Sequence, residues 1–437
     1  MAPKKSAAGK SCRRQSLYAI ITGEMTIGFM TFGCRLNRAE SLDLEAQYAA
    51  AGWEIAHLPS TSESDPLQRT VPDAIIVRGC SVTAKAQRDC EKKIAHLRNR
   101  FPDAEVLIVG CHPDAKPIPP HLAPPPLPDA DAPINRQLSR AYLKVQDGCS
   151  GKCAFCIVPT FRGAPVSVPF ERALARARAC LDAGFREIIV TGCNLCLYRD
   201  AGRRLPELVS ALAEIESPGH RVRLGSIEPG LCDSGLVDAM ESHPNICRFL
   251  HLSLQSGSNR ILRLMRRPYT TEHVAAFCAD ALNRLGPRLS IGADIITGFP
   301  GETEADFNET KSFLTHTPSS SPFTLHSSPF TSLHIFPYSE REGTEAATMR
   351  PVVPVDIRRA RAKELEAVAA ANQEAFARSL IGREVTVCVE RDGNGRTGEY
   401  MRCLLKGAAP RRSLVHAVVD DYFPKLRALS ATIRAKK

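Results

Sequence analysis

Apolar residues along this chain alternate between short continuous runs and a three-to-four-residue period, and that alternation predicts the fold. Residues 25–32 (M-T-I-G-F-M-T-F) read as a strand ending at Gly33-Cys34, and a helical period follows from about Asn37 to Ala51. Asp73 to Val77 reads as a second strand ending near Gly79-Cys80, with a helix over 83–99. Val106 to Val109 is a third strand, ending at Gly110-Cys111. Strands separated by helices predict a parallel sheet. Each strand delivers a Gly-Cys pair at its carboxyl end, the edge where open α/β sheets bind ligands.

The stretch 113–133 is rich in proline, which suits neither a helix interior nor a central strand. An inter-domain linker over 113–140 is expected. From Ala141 the alternation resumes, with strands at 141–145, 186–190, 221–225, 248–254, 290–296 and 332–336. Helical periods fall between most of them, notably at 169–183, 258–266, 271–285 and 302–315. Six such units predict an open, partial (β/α)6 barrel over 141–371, with chemistry at the carboxyl ends of its strands. Ser-Ser-Pro-Phe-Thr occurs at 320–324 and again at 327–331, and reads as a surface-loop insertion without a chemical role. A long helix at 354–380 leads to a β-rich tail with strands at Val385–Glu390, Gly398–Leu405 and Leu414–Val419. The expected class is therefore α/β: an amino-terminal parallel domain (25–112), the partial barrel, and a small β-barrel (372–437).

Composition narrows the setting. With 437 residues, 43% of them hydrophobic, the chain can build two or three ordinary cores. No apolar run reaches the 18 or more residues of a membrane span. Residues 1–24 are basic, carry one acidic residue, Glu24, and lack the apolar centre of a secretory signal. They read as a basic tail, with an organelle transit peptide as the less favoured alternative. A net charge of +10 is compatible with a polyanionic partner such as RNA. Sixteen cysteines without a secretory signal argue for reduced thiols in a cytosol, not a disulfide framework. Cys180, Cys278 and Cys403 lie in helical or strand-like patterns and read as small buried hydrophobes.

The segment K-V-Q-D-G-C-S-G-K-C-A-F-C-I-V-P follows a strand and carries Cys149, Cys153 and Cys156 at Cys-x3-Cys-x2-Cys spacing. Three thiolates can hold three irons of a cubane cluster and leave the fourth open. A methionine amino and carboxylate group could chelate that iron, and an electron from the cluster would then cleave S-adenosylmethionine. Phe155 suits a position near the adenine. Structural zinc is the competing reading, but it wants four ligands and a local fourth is missing.

This segment resembles the radical S-adenosylmethionine superfamily, and its flanks resemble the methylthiotransferases within it, over about residues 25–420. T-F-G-C-R-L-N-R-A-E-S, G-C-S-V-T-A-K-A-Q-R and V-G-C are similar to the three cysteine motifs of that family's amino-terminal domain. The resemblance implies that Cys34, Cys80 and Cys111 hold an auxiliary [4Fe–4S] cluster carrying the sulfur to be methylated and transferred. Three buried thiols are the plainer reading of the same residues. Two departures stand out. The family's Asn-Thr-Cys is Arg78-Gly79-Cys80 here, and an α/β segment usual between Cys111 and the triad is replaced by the proline-rich stretch.

The resemblance further implies cofactor contacts at strand ends: Thr191, Gly192 and Asn194 in V-T-G-C-N, Ser226 and Glu228 in L-G-S-I-E-P, and Gln255 in H-L-S-L-Q-S-G-S. G-A-D-I-I-T-G-F-P-G-E-T (292–303) completes the ring, although Gly298 and Gly301 are equally good turn residues. Cys193 and Cys196 form a further Cys-x2-Cys, and without two more ligands no metal is expected there. Gly-Cys-Arg-Leu-Asn at 33–37, Ser226–Pro229 and Leu333–Ser339 resemble the branch acting on N6-threonylcarbamoyladenosine at tRNA position 37. The implied reaction adds a methylthio group to carbon 2 of that adenine by radical chemistry.

Isopentenyladenosine in tRNA and a ribosomal-protein aspartate are the alternative substrates, and a non-catalytic iron–sulfur RNA-binding protein is the alternative class. The expected cofactors are two [4Fe–4S] clusters and S-adenosylmethionine. The expected partners are the tRNA anticodon loop, an electron donor such as flavodoxin or ferredoxin, and a sulfur source, for a cytoplasmic monomer with no membrane contact. The β-rich tail would touch RNA phosphates, which position without reading sequence.

Overall fold

The computed structural model describes residues 25–58, 71–124, 138–232, 234–316 and 328–434. The basic tail, the later part of the proline-rich stretch and the first copy of the duplicated pentapeptide lie outside them. The chain divides into two compact units, 1–135 and 136–437.

The first unit begins with β1 (Thr26–Thr31), α1 (Arg35–Ala50) and β2 (Glu54–His57). It continues with β3 (Ala74–Cys80), α2 (Ala84–Arg100) and β4 (Glu105–Cys111). All four strands are parallel, in the order β2-β1-β3-β4. The pattern misses β2: Glu-Ile-Ala-His is short and half polar, which an edge strand tolerates. Both faces of the sheet are covered. Ile27, Phe29, Ala74 and Ile76 pack with Tyr48 on one side, while Met30, Ile75 and Val77 pack with Cys90, Ile94 and Leu97 on the other. Burial on both faces explains why these strands read as continuous apolar runs. The Thr83 side chain caps α2 by accepting the Ala86 amide at 3.1 Å.

The proline-rich stretch corrects the linker expectation. As far as residue 124 it packs onto this domain: the Lys116 amide bonds the Ile108 carbonyl at 2.9 Å, Leu122 is buried, and its carbonyl accepts the Tyr48 hydroxyl at 2.5 Å. Proline forbids a helix and a ladder, but a chain short of amide donors has fewer polar groups to satisfy when it is buried.

The second unit contains β5 (Ala141–Lys144), α3 (Phe170–Asp182), β6 (Glu187–Thr191), α4 (Leu205–Ala213), β7 (Arg221–Leu224) and β8 (Ser226–Ile227). Next come α5 (Ser234–Ser242), β9 (Phe249–Gln255), α6 (Asn259–Leu264) and α7 (Thr271–Leu285). β10 (Ser290–Thr297), α8 (Glu304–His316), β11 (Phe330–Pro337) and the long α9 (Val355–Ser379) complete the series. The six expected strands are present and parallel, with the short β8 as a seventh just after β7, in the orders β7-β6-β5 and β8-β9-β10-β11. The division falls at Gly225, whose amide bonds the Val190 carbonyl at 2.8 Å and where a Cβ would meet that carbonyl at 2.9 Å. β5 and β11 are edges, so the barrel is open as expected. The second copy of the pentapeptide is not a surface insertion throughout. The Ser328 hydroxyl bonds the Leu314 carbonyl at 2.6 Å, and Phe330 is wholly buried at the start of β11.

A closed five-stranded barrel ends the chain: β12 (Glu384–Val389), β13 (Asn394–Thr397), β14 (Arg402–Lys406), β15 (Leu414–Phe423) and β16 (Ala428–Ile433). Two of its strands escape the sequence pattern, because Asn-Gly-Arg-Thr looks like a turn and Ala-Leu-Ser-Ala-Thr-Ile is weakly apolar.

A buried charge network ties the two barrels together. Glu187 accepts from Arg221 and Arg223, both at 2.7 Å. The guanidinium of Arg221 donates to the carbonyls of Thr386 and Arg396, and that of Arg223 to those of Thr397 and Gly398. Tyr400 stacks on Phe249 with ring centres 4.6 Å apart.

Candidate functional site

The Cys149–Cys156 loop leaves β5 through Gln146 and Asp147, which the sequence reading passed over although both lie in the quoted segment. The Gln146 side chain donates to the carbonyls of Asp147 and Gly148 and accepts the Asn194 amide at 2.8 Å. Asp147 binds Lys144 at 2.6 Å, Arg162 at 2.9 Å and the Gly148 amide at 2.8 Å. Burial alone would raise its carboxyl, but Lys144 and Arg162 outweigh that and hold it well below the carboxylate range. Gly148 has φ +67°, and a Cβ there would strike the Ala164 carbonyl at 2.0 Å, so the turn admits only glycine. The far side of the loop is pinned by Ala154, whose amide bonds Met265 and whose carbonyl accepts from Ala346.

The sulfurs of Cys149 and Cys153 would lie 3.2 and 3.7 Å from a Cβ on Gly151, and the Gly151 amide donates to the Cys149 sulfur at 3.2 Å. Burial raises the Cys153 thiol and pushes Cys156 up to about 11. The cation that opposes this at Cys153 is Arg267, whose guanidinium lies 2.9 Å from the sulfur. Three thiols on one short loop, two of them beside Gly151, are a donor set that suits a polynuclear cluster in which each thiolate takes its own iron. On that test the residues fit a [4Fe–4S] group.

The first unit shows the same fit. Cys80 and Cys111 are register partners at the ends of β3 and β4. Gly33, beside Cys34, has φ +93° and lies so close that a Cβ would meet the Cys80 sulfur at 2.7 Å. Asn37 locks this corner by donating to the carbonyls of Phe32 and Gly79, both at 2.9 Å. Two buried polar atoms of this unit lack a partner among the described residues: the Ser81 hydroxyl and His112 Nε2. They directly follow Cys80 and Cys111 in the chain.

The remaining predicted residues divide. Asn194 and Glu228 come together at 2.6 Å, and Arg267 closes the group 3.1 Å from Glu228. Thr191 is buried at the end of β6, where its carbonyl accepts the Val145 amide. Gly192 backs directly onto Gln146, leaving no room for a Cβ. Gln255 ends β9 with φ +72°, a strained geometry of the kind that gathers at functional sites. Ser226 is exposed on β8. Phe155 packs edge-on against Phe299 at 6.5 Å, in a cluster that includes Ile296. Cys193 and Cys196 point to different partners: Cys193 to Asp147 at 3.3 Å, Cys196 to the Cys232 sulfur at 3.3 Å. Arg267 carried no local signal in the sequence, because α6 must fold before it reaches Cys153.

Known proteins resemble this chain over most of its length. A model of the radical SAM superfamily matches residues 143–314, and one described as uncharacterized protein family UPF0004 matches 26–119. The threonylcarbamoyladenosine tRNA methylthiotransferase MtaB of Aquifex aeolicus is 30% identical, covering 90% of this chain and 100% of that protein. A tRNA-2-methylthio-N(6)-dimethylallyladenosine synthase of Cereibacter sphaeroides is 31% identical over 83% of this chain and 87% of that one. Among solved structures, the radical S-adenosylmethionine methyltransferase TsrM of Kitasatospora setae shares the fold with a TM-score of 0.51, 13% identity and coverage of 74% and 77%.

Proposed function

The chain belongs to the radical S-adenosylmethionine methylthiotransferases that act on tRNA, and from that premise we propose that its substrate is N6-threonylcarbamoyladenosine at position 37, methylthiolated at carbon 2. The observation that carries this reading is the relative named for that substrate, which aligns over its whole length. The Gly33–Asn37 and Leu333–Ser339 segments support it. The dimethylallyladenosine reading stays second, favoured by a relative that is 31% identical but covers less of both chains.

Two [4Fe–4S] clusters and S-adenosylmethionine, when bound, supply the one-electron cleavage and the methylthio group, chemistry beyond side-chain acids and bases. Cys149, Cys153 and Cys156 would hold one cluster, and Cys34, Cys80 and Cys111 the other. Arg267 holds a positive charge against Cys153 and fixes Glu228. Asn194 and Glu228 offer a polar pair at neighbouring strand ends for the methionine or ribose groups, beside Thr191, Gly192, Ser226 and Gln255. Phe155 closes the apolar side. The walls of the barrel keep water from the reacting base, which single-stranded RNA can splay out. The closed terminal barrel binds RNA phosphates, and the protein works in the cytoplasm with a flavodoxin- or ferredoxin-like reductant and a sulfur source.

Nucleoside analysis of tRNA from a deletion strain tests the substrate. Loss of 2-methylthio-N6-threonylcarbamoyladenosine, with the dimethylallyl product unchanged, is expected. The reverse pattern would replace the first reading by the second.

A further inference from the structure

Away from the cysteine loop, three consecutive strands bring His251 (β9), Asp294 (β10) and His334 (β11) together. One carboxylate oxygen of Asp294 lies 2.9 Å from His251 Nε2 and 3.2 Å from His334 Nδ1. Gly292, the register partner of His251, makes the space: a Cβ there would meet His251 Nδ1 at 2.5 Å. Burial alone would raise the Asp294 carboxyl, but hydrogen bonds and charge from the two histidines hold it well below the carboxylate range. A fixed carboxylate therefore orients two imidazoles.

The face they share continues upward. Asp294 pairs in register with His334, and Ile296 with Phe336 one step nearer the strand ends. Ile296 packs in the same cluster as Phe155, the residue before Cys156. At the lower end, Phe249 carries the Tyr400 stack. β11 is an edge strand, and it presents His334, 47% exposed, and Phe336, 42% exposed, side by side with ring centres 6.4 Å apart. Exposed edges are usually blunted with charge or proline. β11 carries that proline at Pro337, and just before it an exposed phenylalanine beside an oriented histidine sets an apolar ring face next to fixed donors and acceptors.

We propose that His334 and Phe336, backed by Asp294 and His251, form the platform that receives the unstacked target purine, with its ring on Phe336 and its polar edge at His334. This rests on the RNA-substrate reading above. Aromatic stacking plus a hydrogen-bonded base edge is how proteins hold splayed-out nucleotides. A two-histidine, one-carboxylate set can also bind a divalent metal ion, and the test separates the two.

Steady-state kinetics on a modified anticodon stem-loop with Phe336→Ala and His334→Ala is the experiment. Each variant is expected to raise KM by about tenfold to a hundredfold, with a smaller change in kcat and unchanged iron content. Phe336→Trp restores the native KM. Unchanged KM in both alanine variants overturns the proposal. So does one equivalent of a non-iron metal bound by the native protein and lost in His334→Ala. A stem-loop with 2-aminopurine at the target position reads the platform without turnover. Fluorescence quenched by native protein but not by Phe336→Ala supports it even if no methylthiolated product forms, and equal fluorescence in both overturns it.

Discussion

The guanidinium of Arg267 donates to the sulfur of Cys153 at 2.9 Å while pairing with Glu228 at 3.1 Å. One cation thus links a cysteine of the radical triad to the polar pair at the neighbouring strand ends. Replacing it with a neutral side chain leaves Glu228 short of its counter-charge and Cys153 with only the burial that disfavours its thiolate. Arg267→Met is expected to lower 5′-deoxyadenosine formation and to destabilise the fold by about 3–5 kcal/mol, the range for removing one partner of a buried charged pair. Product assay and iron count on anaerobic protein check it. Full native turnover would remove Arg267 from the site.

The two cysteine sets should fail independently. Alanine at Cys149, Cys153 and Cys156, or alternatively at Cys34, Cys80 and Cys111, is expected to reduce bound iron from about eight to about four per chain. Only the first replacement should abolish S-adenosylmethionine cleavage. A count of about four irons in the native protein would mean that one set holds no cluster.

Gly148 tests the geometry of the loop. Gly148→Ala places a Cβ against the Ala164 carbonyl at a backbone angle suited to glycine. Loss of the radical cluster with retention of the auxiliary one is expected, visible as halved iron and an altered electron paramagnetic resonance spectrum.

Glu187 governs acid stability. Burial alone would raise its carboxyl, but Arg221, Arg223 and Arg140 together depress it far below its ordinary 4.5. A depressed carboxyl contributes stability that is full above the unfolded value and lost as pH falls through the folded one. The native protein should therefore lose stability progressively below about pH 4.5. Glu187→Gln, which leaves buried arginines unpaired, should cost about 3–5 kcal/mol at neutral pH and flatten that acid dependence. Denaturant unfolding at pH 7 and pH 4 measures both.

Tyr48→Phe removes only the hydroxyl that the Leu122 carbonyl accepts. Destabilisation of the amino-terminal unit by about 1 kcal/mol is expected, seen as earlier amide exchange in residues 116–124. No change there would mean that this segment is held by apolar packing alone.

The sequence by itself determined the parts of this protein that are local. Period and run length located β1, β3 and β4 and all six barrel strands, because each buries apolar residues on a repeat the chain displays. Cys-x3-Cys-x2-Cys located the candidate triad, because one loop holds all three cysteines. Tertiary structure decided what depends on partners distant in the chain. Leu122 is buried because Tyr48 reaches it, so a stretch that reads as linker is partly core. Glu54–His57 and Asn394–Thr397 are strands because neighbouring ladders accept them, despite weak patterns of their own. Arg267 meets Cys153 across more than a hundred residues, and His251, Asp294 and His334 meet only because three strands pair in register. A side chain's chemistry is written in its own position, but its partner is set by how separate strands and helices pack.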